Sequence, residues 1–213
     1  MTYWVFYSPD IAYIINSLAQ QNASPKPRHF ATAKRVLHYL AGTQNFRLSY
    51  SDGTTEEGLH AYADASWASE VGCWSVSGYT WFYGGGLISH VSKKQTTVAL
   101  SSVNSEAEYM AATHVIQEGL WLHSLFTELS IPFISPIKVY LDNTGAIALS
   151  TAAKFHQRSK HIDLQYHFIH EHVGSNIFQL IWVPLHKNIA DILTKPLPCP
   201  TFHKFLRMLG ITA

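Results

Sequence analysis

Aspartates that close short apolar runs are this chain's first candidates for chemistry. The segments His60-Ala-Tyr-Ala-Asp64 and Lys138-Val-Tyr-Leu-Asp142 end alike, each with an aspartate two residues after a tyrosine. Read as strands, their period-two alternation puts Tyr and Asp on one face and Ala61, Ala63, Val139 and Leu141 on the other. Both aspartates then stand at the carboxyl ends of strands, where open α/β sheets bind ligands. On parallel neighbouring strands the two carboxylates would converge, and like charges that close need a proton or a cation between them. Oxygen-only ligands suit a hard ion such as Mg²⁺ or Mn²⁺. The plainer alternative is a pair of turn aspartates, each capping the next element of the chain.

Two more carboxylates qualify by position. Glu108 heads a helical stripe with Ala112, Val115, Gly119 and Leu122, and a carboxylate on an inward face needs partners. The stripe from Glu106 runs through Met110, Thr113, Gln117 and Leu120, a mixed face, which favours Glu108 as the working acid. Asp191 follows Pro184-Leu-His-Lys-Asn-Ile-Ala190. It either joins the acidic set or merely occupies the first turn of a helix capped by Asn188.

The scaffold for these residues can be read from pattern. Ser8 is placed to cap a helix opening at Pro9 and Asp10, with Ile11, Ile14, Ile15 and Leu18 at helical spacing. A Ser-Pro-Lys-Pro break at 24–27 leads to a second helix with Phe30, Ala33, Leu37 and Leu40 on one stripe and Gly42 at its end. Strands are expected over 59–66, 76–83 and 87–91, the last two joined by Gly84-Gly-Gly86. A long helix over 105–129, a strand over 137–141, helical stretches over 143–150 and 161–173, a strand over 178–183 and a helix over 189–194 complete the order. That order gives an α/β fold, a mixed five-stranded sheet flanked by helices with a helical N-terminal appendage.

Composition narrows the function classes. A chain of 213 residues, 47% hydrophobic and 14% charged, builds a core and lies outside the disordered range. No apolar run approaches the ~18 residues of a membrane span, and no signal-peptide pattern opens the sequence. Cys73 and Cys199 are the only cysteines, too few for a disulfide framework or a cysteine zinc site, so an intracellular setting is expected. Thirteen histidines include His-x-x-His spacings, but without cysteines or a Glu-flanked helix motif they read as solvated or core histidines, not a zinc site. The six tryptophans are read mostly as core. A net charge of +1 leaves any nucleic-acid contact to particular residues; Lys93-Lys94 and Arg158 with Lys160 could meet phosphates or be ordinary exposed charge.

These residues resemble a known family. The ordered set Tyr62-Ala-Asp-Ala-Ser-Trp67, Ser77-Gly-Tyr79, Ser92-Lys-Lys-Gln95, Ala99-Leu-Ser-Ser102, Glu106-Ala-Glu-Tyr109, Leu141-Asp-Asn143, Lys160-His-Ile-Asp163 and Ala190-Asp-Ile-Leu-Thr-Lys-Pro-Leu197 is similar to the ribonuclease H domain of Ty1/copia-type retrotransposon Pol polyproteins. Residues 9–50 resemble the segment joining reverse transcriptase to that domain. The resemblance divides the chain into a helical connection over 1–55 and a ribonuclease H-like domain over 56–213 with a C-terminal helical tail. It implies a four-carboxylate site of Asp64, Glu108, Asp142 and Asp191, two Mg²⁺ ions (Mn²⁺ as a possible substitute) and hydrolysis of the RNA strand of an RNA–DNA hybrid. It also implies a reverse transcriptase domain as a partner. His186, in the loop before Asp191, matches where other ribonucleases H carry a mobile histidine that aids product release. Tyr140-Leu-Asp-Asn143 lacks the paired carboxylates of a polymerase site. The rival reading is a catalytically silent remnant that binds nucleic acid or a polymerase.

Overall fold

The computed structural model describes residues 8–50, 58–66, 74–95, 105–145, 147 and 160–213. Its elements are α1 (Ala12–Ala19), α2 (Pro27–Gly42), β1 (Arg47–Leu48), β2 (His60–Ser66), β3 (Val76–Tyr83), β4 (Gly86–Lys94), α3 (Ser105–Glu128), β5 (Ile137–Leu141), α4 (Lys160–Gly174), β6 (Phe178–Trp182), α5 (Cys199–Met208) and β7 (Ile211–Thr212). Two short 3₁₀ helices, Leu185–Lys187 and Ile189–Leu193, lie between β6 and α5.

The principal sheet has the order β4-β3-β2-β5-β6. β2 and β3 run antiparallel, as do β3 and β4, whereas β2–β5 and β5–β6 are parallel. The sheet is therefore mixed, five-stranded and flanked by helices, as the pattern of elements predicts. The alternation in β2 and β5 works as read: Ala61, Ala63, Val139 and Leu141 are fully buried in the main core with Val115, Ile116 and Leu122 of α3. On the opposite face Tyr62 stacks on Tyr140 with centroids 4.8 Å apart.

Two glycines set how closely the layers approach. A Cβ on Gly119 would lie 2.6 Å from the Trp81 ring and 2.7 Å from Phe178, so the bare backbone of α3 lets the helix settle onto those rings. Gly78, the β3 partner of Asp64, plays the same part on the other face. A Cβ there would lie 2.7 Å from Thr194 and 2.8 Å from Leu193. Its absence admits the second 3₁₀ helix to the carboxyl end of β2.

Several expectations are corrected. The first helix starts at Ala12, with Ile11 as its cap position and no side-chain cap. Pro9 and Asp10 form a turn instead, closed by Ile11 N–H to the Ser8 carbonyl at 3.2 Å, and the Asp10 carboxylate accepts a 2.7 Å bond from the Tyr39 hydroxyl. The expected stripe of α2 is rotated: Phe30 and Leu37 are 62% and 64% exposed, and Val36 is the buried residue. That rotation lets Val36, Tyr39 and Leu40 meet Ile11, Ile14 and Ile15. Trp121 and Trp182 are 58% and 52% exposed, not core. The helix expected from Ile189 is a 3₁₀ turn, because Asp191, Thr194 and Lys195 are drawn into polar contacts at the sheet edge. The short β1–β7 pair, Arg47 with Thr212 and Leu48 with Ile211, has no counterpart in the sequence pattern; two-residue strands carry no detectable alternation.

A candidate metal centre at the carboxyl edge of the sheet

β2 and β5 deliver Asp64 and Asp142 to the same edge because they are parallel neighbours. Glu108 arrives from the first turn of α3. One carboxylate oxygen from each of Asp64, Glu108 and Asp142 lies within 4.8 Å of the others. Asp64 is 2% exposed and Glu108 6%, so charges are gathered where little water can shield them. Glu106 is only half-buried and stands outside this group.

The first turn of α3 is fixed from β4. Gln95 is buried, and its side-chain amide donates to the Ser77 hydroxyl at 2.8 Å and to the Ala107 carbonyl at 2.9 Å. Its backbone N–H bonds the Ser75 carbonyl at 2.8 Å. Through its amide nitrogen Gln95 ties the residue beside Glu108 to the end of the sheet, while its buried Oε1 has no hydrogen-bond partner. The Ala65 backbone N–H then donates to the Glu108 carboxylate.

The segment after β6 supplies the opposite wall. The Asn188 amide donates to the Ala63 carbonyl at 2.9 Å and also bonds the Asp142 carboxylate. Its Oδ1 accepts from Ala190 N–H at 3.3 Å. The Thr194 hydroxyl donates to Asp64 Oδ2. Lys195 places Nζ 2.8 Å from Asp191 Oδ1 and 3.7 Å from Asp64 Oδ2. Asp191 thus borders the three-carboxylate group through Asp64 and the lysine. A cleft of about 320 Å³ opens over the site, lined by Asp64, Glu108, Asp142, Asn143, Leu185 and Lys195 among others.

The electrostatics arise from crowding and burial. Burial, then repulsion from Asp64 and Asp142, holds the Glu108 carboxyl well above the usual carboxylate range. Burial and the Asp64 charge raise Asp142. Asp191 is raised to about 7 by burial and Asp64, against the lowering effect of Lys195. For Lys195, burial opposes the charged form, but Asp64, Asp191 and Asp142 outweigh it and leave the ammonium's pKa raised. Glu108 Oε2 is buried without a hydrogen-bond partner. An unpartnered buried carboxylate oxygen beside two more carboxylates is a donor set suited to a hard divalent cation, which would relieve both the repulsion and the missing bond.

The other expected site residues are dispersed. His186 is exposed on the first 3₁₀ helix, where its carbonyl accepts from Lys204 Nζ; its neighbour Leu185, not His186, lines the cleft. Lys93 is exposed near the end of β4, and Lys94 stands over the Trp74 ring at 4.8 Å. Arg158 and Trp67, and the side chain of Lys160, lie outside the described residues. Sequence reasoning gave Asn188 only the capping part that its bond from Ala190 N–H fulfils, and assigned no role to Gln95, Thr194 or Lys195. A signal existed for the last: Lys195 stands four residues after Asp191, a spacing that pairs opposite charges.

Fold and site together define an α/β domain with an acidic, cation-suited cleft at the carboxyl edge of a mixed sheet. The chain is 41% identical over 213 residues, its whole length, to the retrovirus-related Pol polyprotein from transposon RE1 of Arabidopsis thaliana, of which it spans 14%. It is 35% identical over 204 residues to the corresponding polyprotein from transposon TNT 1-94 of Nicotiana tabacum, covering 95% of this chain and 15% of that one. The ribonuclease H1 of the archaeon Halobacterium salinarum NRC-1 aligns at a TM-score of 0.46 with 18% identity, over 64% of this chain and 93% of that one. No protein-family model matches. The chain belongs to the Ty1/copia-type retrotransposon Pol polyproteins, matching a segment of them along its whole length. It spans only a small part of the polyproteins it matches.

Proposed function

We propose that this chain hydrolyses the RNA strand of RNA–DNA hybrids in a reaction that depends on Mg²⁺, with Mn²⁺ able to replace it. The observation that carries the reading is the convergence of Asp64, Glu108 and Asp142 to within 4.8 Å in an open cleft. In this reading Asp64, Glu108 and Asp142 hold cations, and Asp191 completes the set through its proximity to Asp64. The ions those carboxylates would hold, a pair of Mg²⁺, would supply activation of water and stabilisation of the leaving 3′ oxygen in an in-line displacement. The chain's own contribution is placement. Gln95 steadies the turn that carries Glu108, Asn188 orients Asp142, and Thr194 fixes the Asp64 carboxylate, so the acidic oxygens are positioned before substrate arrives. Lys93 and Lys94, with Arg158 and Lys160, are proposed to meet backbone phosphates, which position a duplex without reading its sequence. Residues 1–55 are proposed as the connection to a reverse transcriptase domain of the parent polyprotein.

The test is cleavage of a labelled RNA–DNA hybrid in Mg²⁺, with Asp64→Asn and Asp142→Asn as controls. Cleavage by the unaltered chain and its loss in both variants supports the proposal. Hybrid binding without cleavage, at any Mg²⁺ or Mn²⁺ concentration, would favour a silent nucleic-acid-binding module instead.

A further inference from the structure

We propose that Lys195 is an internal cation which occupies the Asp64–Asp191 half of the acidic site and must swing aside for a second divalent ion to enter. The inference rests on the metal-dependent reading above and deepens it. The site is asymmetric about Asp64. On one side Asp64, Glu108 and Asp142 face one another within 4.8 Å, and Glu108 Oε2 lacks a hydrogen-bond partner. On the other side, the Lys195 ammonium already holds Asp191 at 2.8 Å and Asp64 at 3.7 Å. These are the oxygens a second ion would need. A lysine ammonium is a compact point charge, and a divalent ion taking the same carboxylate oxygens would be repelled by it. The first half is therefore ready for an ion, and the second is guarded.

The structure also provides a place for the lysine to go. Lys195 lines the acidic cleft and, on its other side, a hollow of about 330 Å³ bounded by Ile14, Val36, Tyr39, Phe202 and Asp10. The hollow is mainly apolar, and so suits the four-carbon stem of a lysine. Its acidic member, Asp10, accepts a hydrogen bond from the Tyr39 hydroxyl at 2.7 Å and offers the ammonium an alternative carboxylate. Asp10 and Tyr39 come from the N-terminal segment and Lys195 from the segment after β6. Uptake of the second ion would then be coupled to how the N-terminal helices sit against the domain.

The experiment is calorimetric titration of the full chain with Mn²⁺, without substrate. The unaltered chain is expected to show a tight step and a much weaker one. Lys195→Met and Lys195→Gln should strengthen the weak step by about tenfold or more while leaving the tight step in place. Lys195→Arg keeps the charge and should leave the weak step weak. Asp10→Asn should weaken it several-fold by removing the alternative partner. A residue that merely held the fold together would, when removed, weaken ion binding, not strengthen it. A weak step unchanged or weakened in both neutral variants overturns the role of Lys195. Mn²⁺ uptake that is indifferent to Asp142→Asn would instead overturn the metal-dependent reading itself.

Discussion

Replacing Asp191 by asparagine should stabilise the metal-free protein at neutral and alkaline pH and leave it unchanged at acid pH. Burial and the neighbouring Asp64 raise the Asp191 carboxyl from 3.8 to about 7. A folded-state pKa above the unfolded value means that the native state binds the proton more tightly. The associated stability is fully present below about pH 4 and is lost as the pH rises through about 7. A shift of about three units corresponds to roughly 4 kcal/mol at 1.36 kcal/mol per unit. The cleft is open and its lysine is 32% exposed, so solvent screening reduces the expected effect to about 2–4 kcal/mol. The assay is urea unfolding of wild type and Asp191→Asn in EDTA at intervals between about pH 4 and pH 8. The difference between the proteins is the informative quantity. His114 is held below its ordinary value by burial and by Lys93, and contributes an opposite slope common to both. The variant should gain progressively on wild type up to about pH 7, and saturating Mg²⁺ should erase the gain by neutralising the site. A difference that stays flat across the range, or that turns against the variant as pH rises, would refute the account of a crowded, under-compensated site.

Further predictions concern the same edge of the sheet. Glu108→Gln should abolish Mg²⁺-dependent hybrid cleavage and Glu106→Gln should retain it; the reverse pattern would reassign the acid. Asp64→Asn and Asp142→Asn should lose cleavage while melting, without metal, no lower than wild type, since each removes a charge from a repulsive group; lower melting in both would make these aspartates structural. Gly78→Ala should cost about 1–3 kcal/mol and weaken Mn²⁺ binding, because its methyl group would strike Thr194 and Leu193; unaltered ion binding would show that the 3₁₀ helix is not positioned by this contact. Hybrid affinity should fall with added salt, by roughly one power of the salt concentration per contact, because a chain of net charge +1 must bind through local phosphate contacts. A filter-binding curve that hardly shifts between low and physiological salt would contradict that.

The principal strands and the long helix were legible because their signals are local and periodic. In β2 and β5 the small and branched residues that pack on α3 alternate with the tyrosines and aspartates that face the other way, so the side on which Asp64 and Asp142 lie follows from period alone. Glu108 was legible for the same reason, since the stripe through Ala112, Val115 and Leu122 is buried. The N-terminal helices were misjudged in detail because each stripe has near rivals. α2 carries apolar residues around much of its circumference, and only contact with Ile11, Ile14 and Ile15 decides that Val36 turns inward. The exposed Trp182 shows the same limit: its indole N–H bonds the Asp142 carbonyl at 3.1 Å, a contact across neighbouring strands that no pattern within β6 encodes.

What the sequence left unread is the second layer of the site, and the reason is topological. Asp64 and Thr194 are 130 positions apart, as the separation of their hydrogen bond records, and Asn188 reaches Ala63 across 125. Neither contact has a periodicity. Both depend on Gly78, whose missing side chain looks, in the sequence, like a weakness in an aromatic strand. In the fold it is a gap of one methyl group directly opposite Asp64, and the 3₁₀ helix fills it. That helix then brings four polar residues to one edge: Asn188 against Asp142, Thr194 against Asp64, and the Asp191–Lys195 pair between them. The carboxylates alone would define a place where charge accumulates. The glycine-admitted segment turns it into a site with fixed oxygens and a built-in counter-charge, so the metal binding proposed above would rest on the packing of Gly78 as well as on the acids.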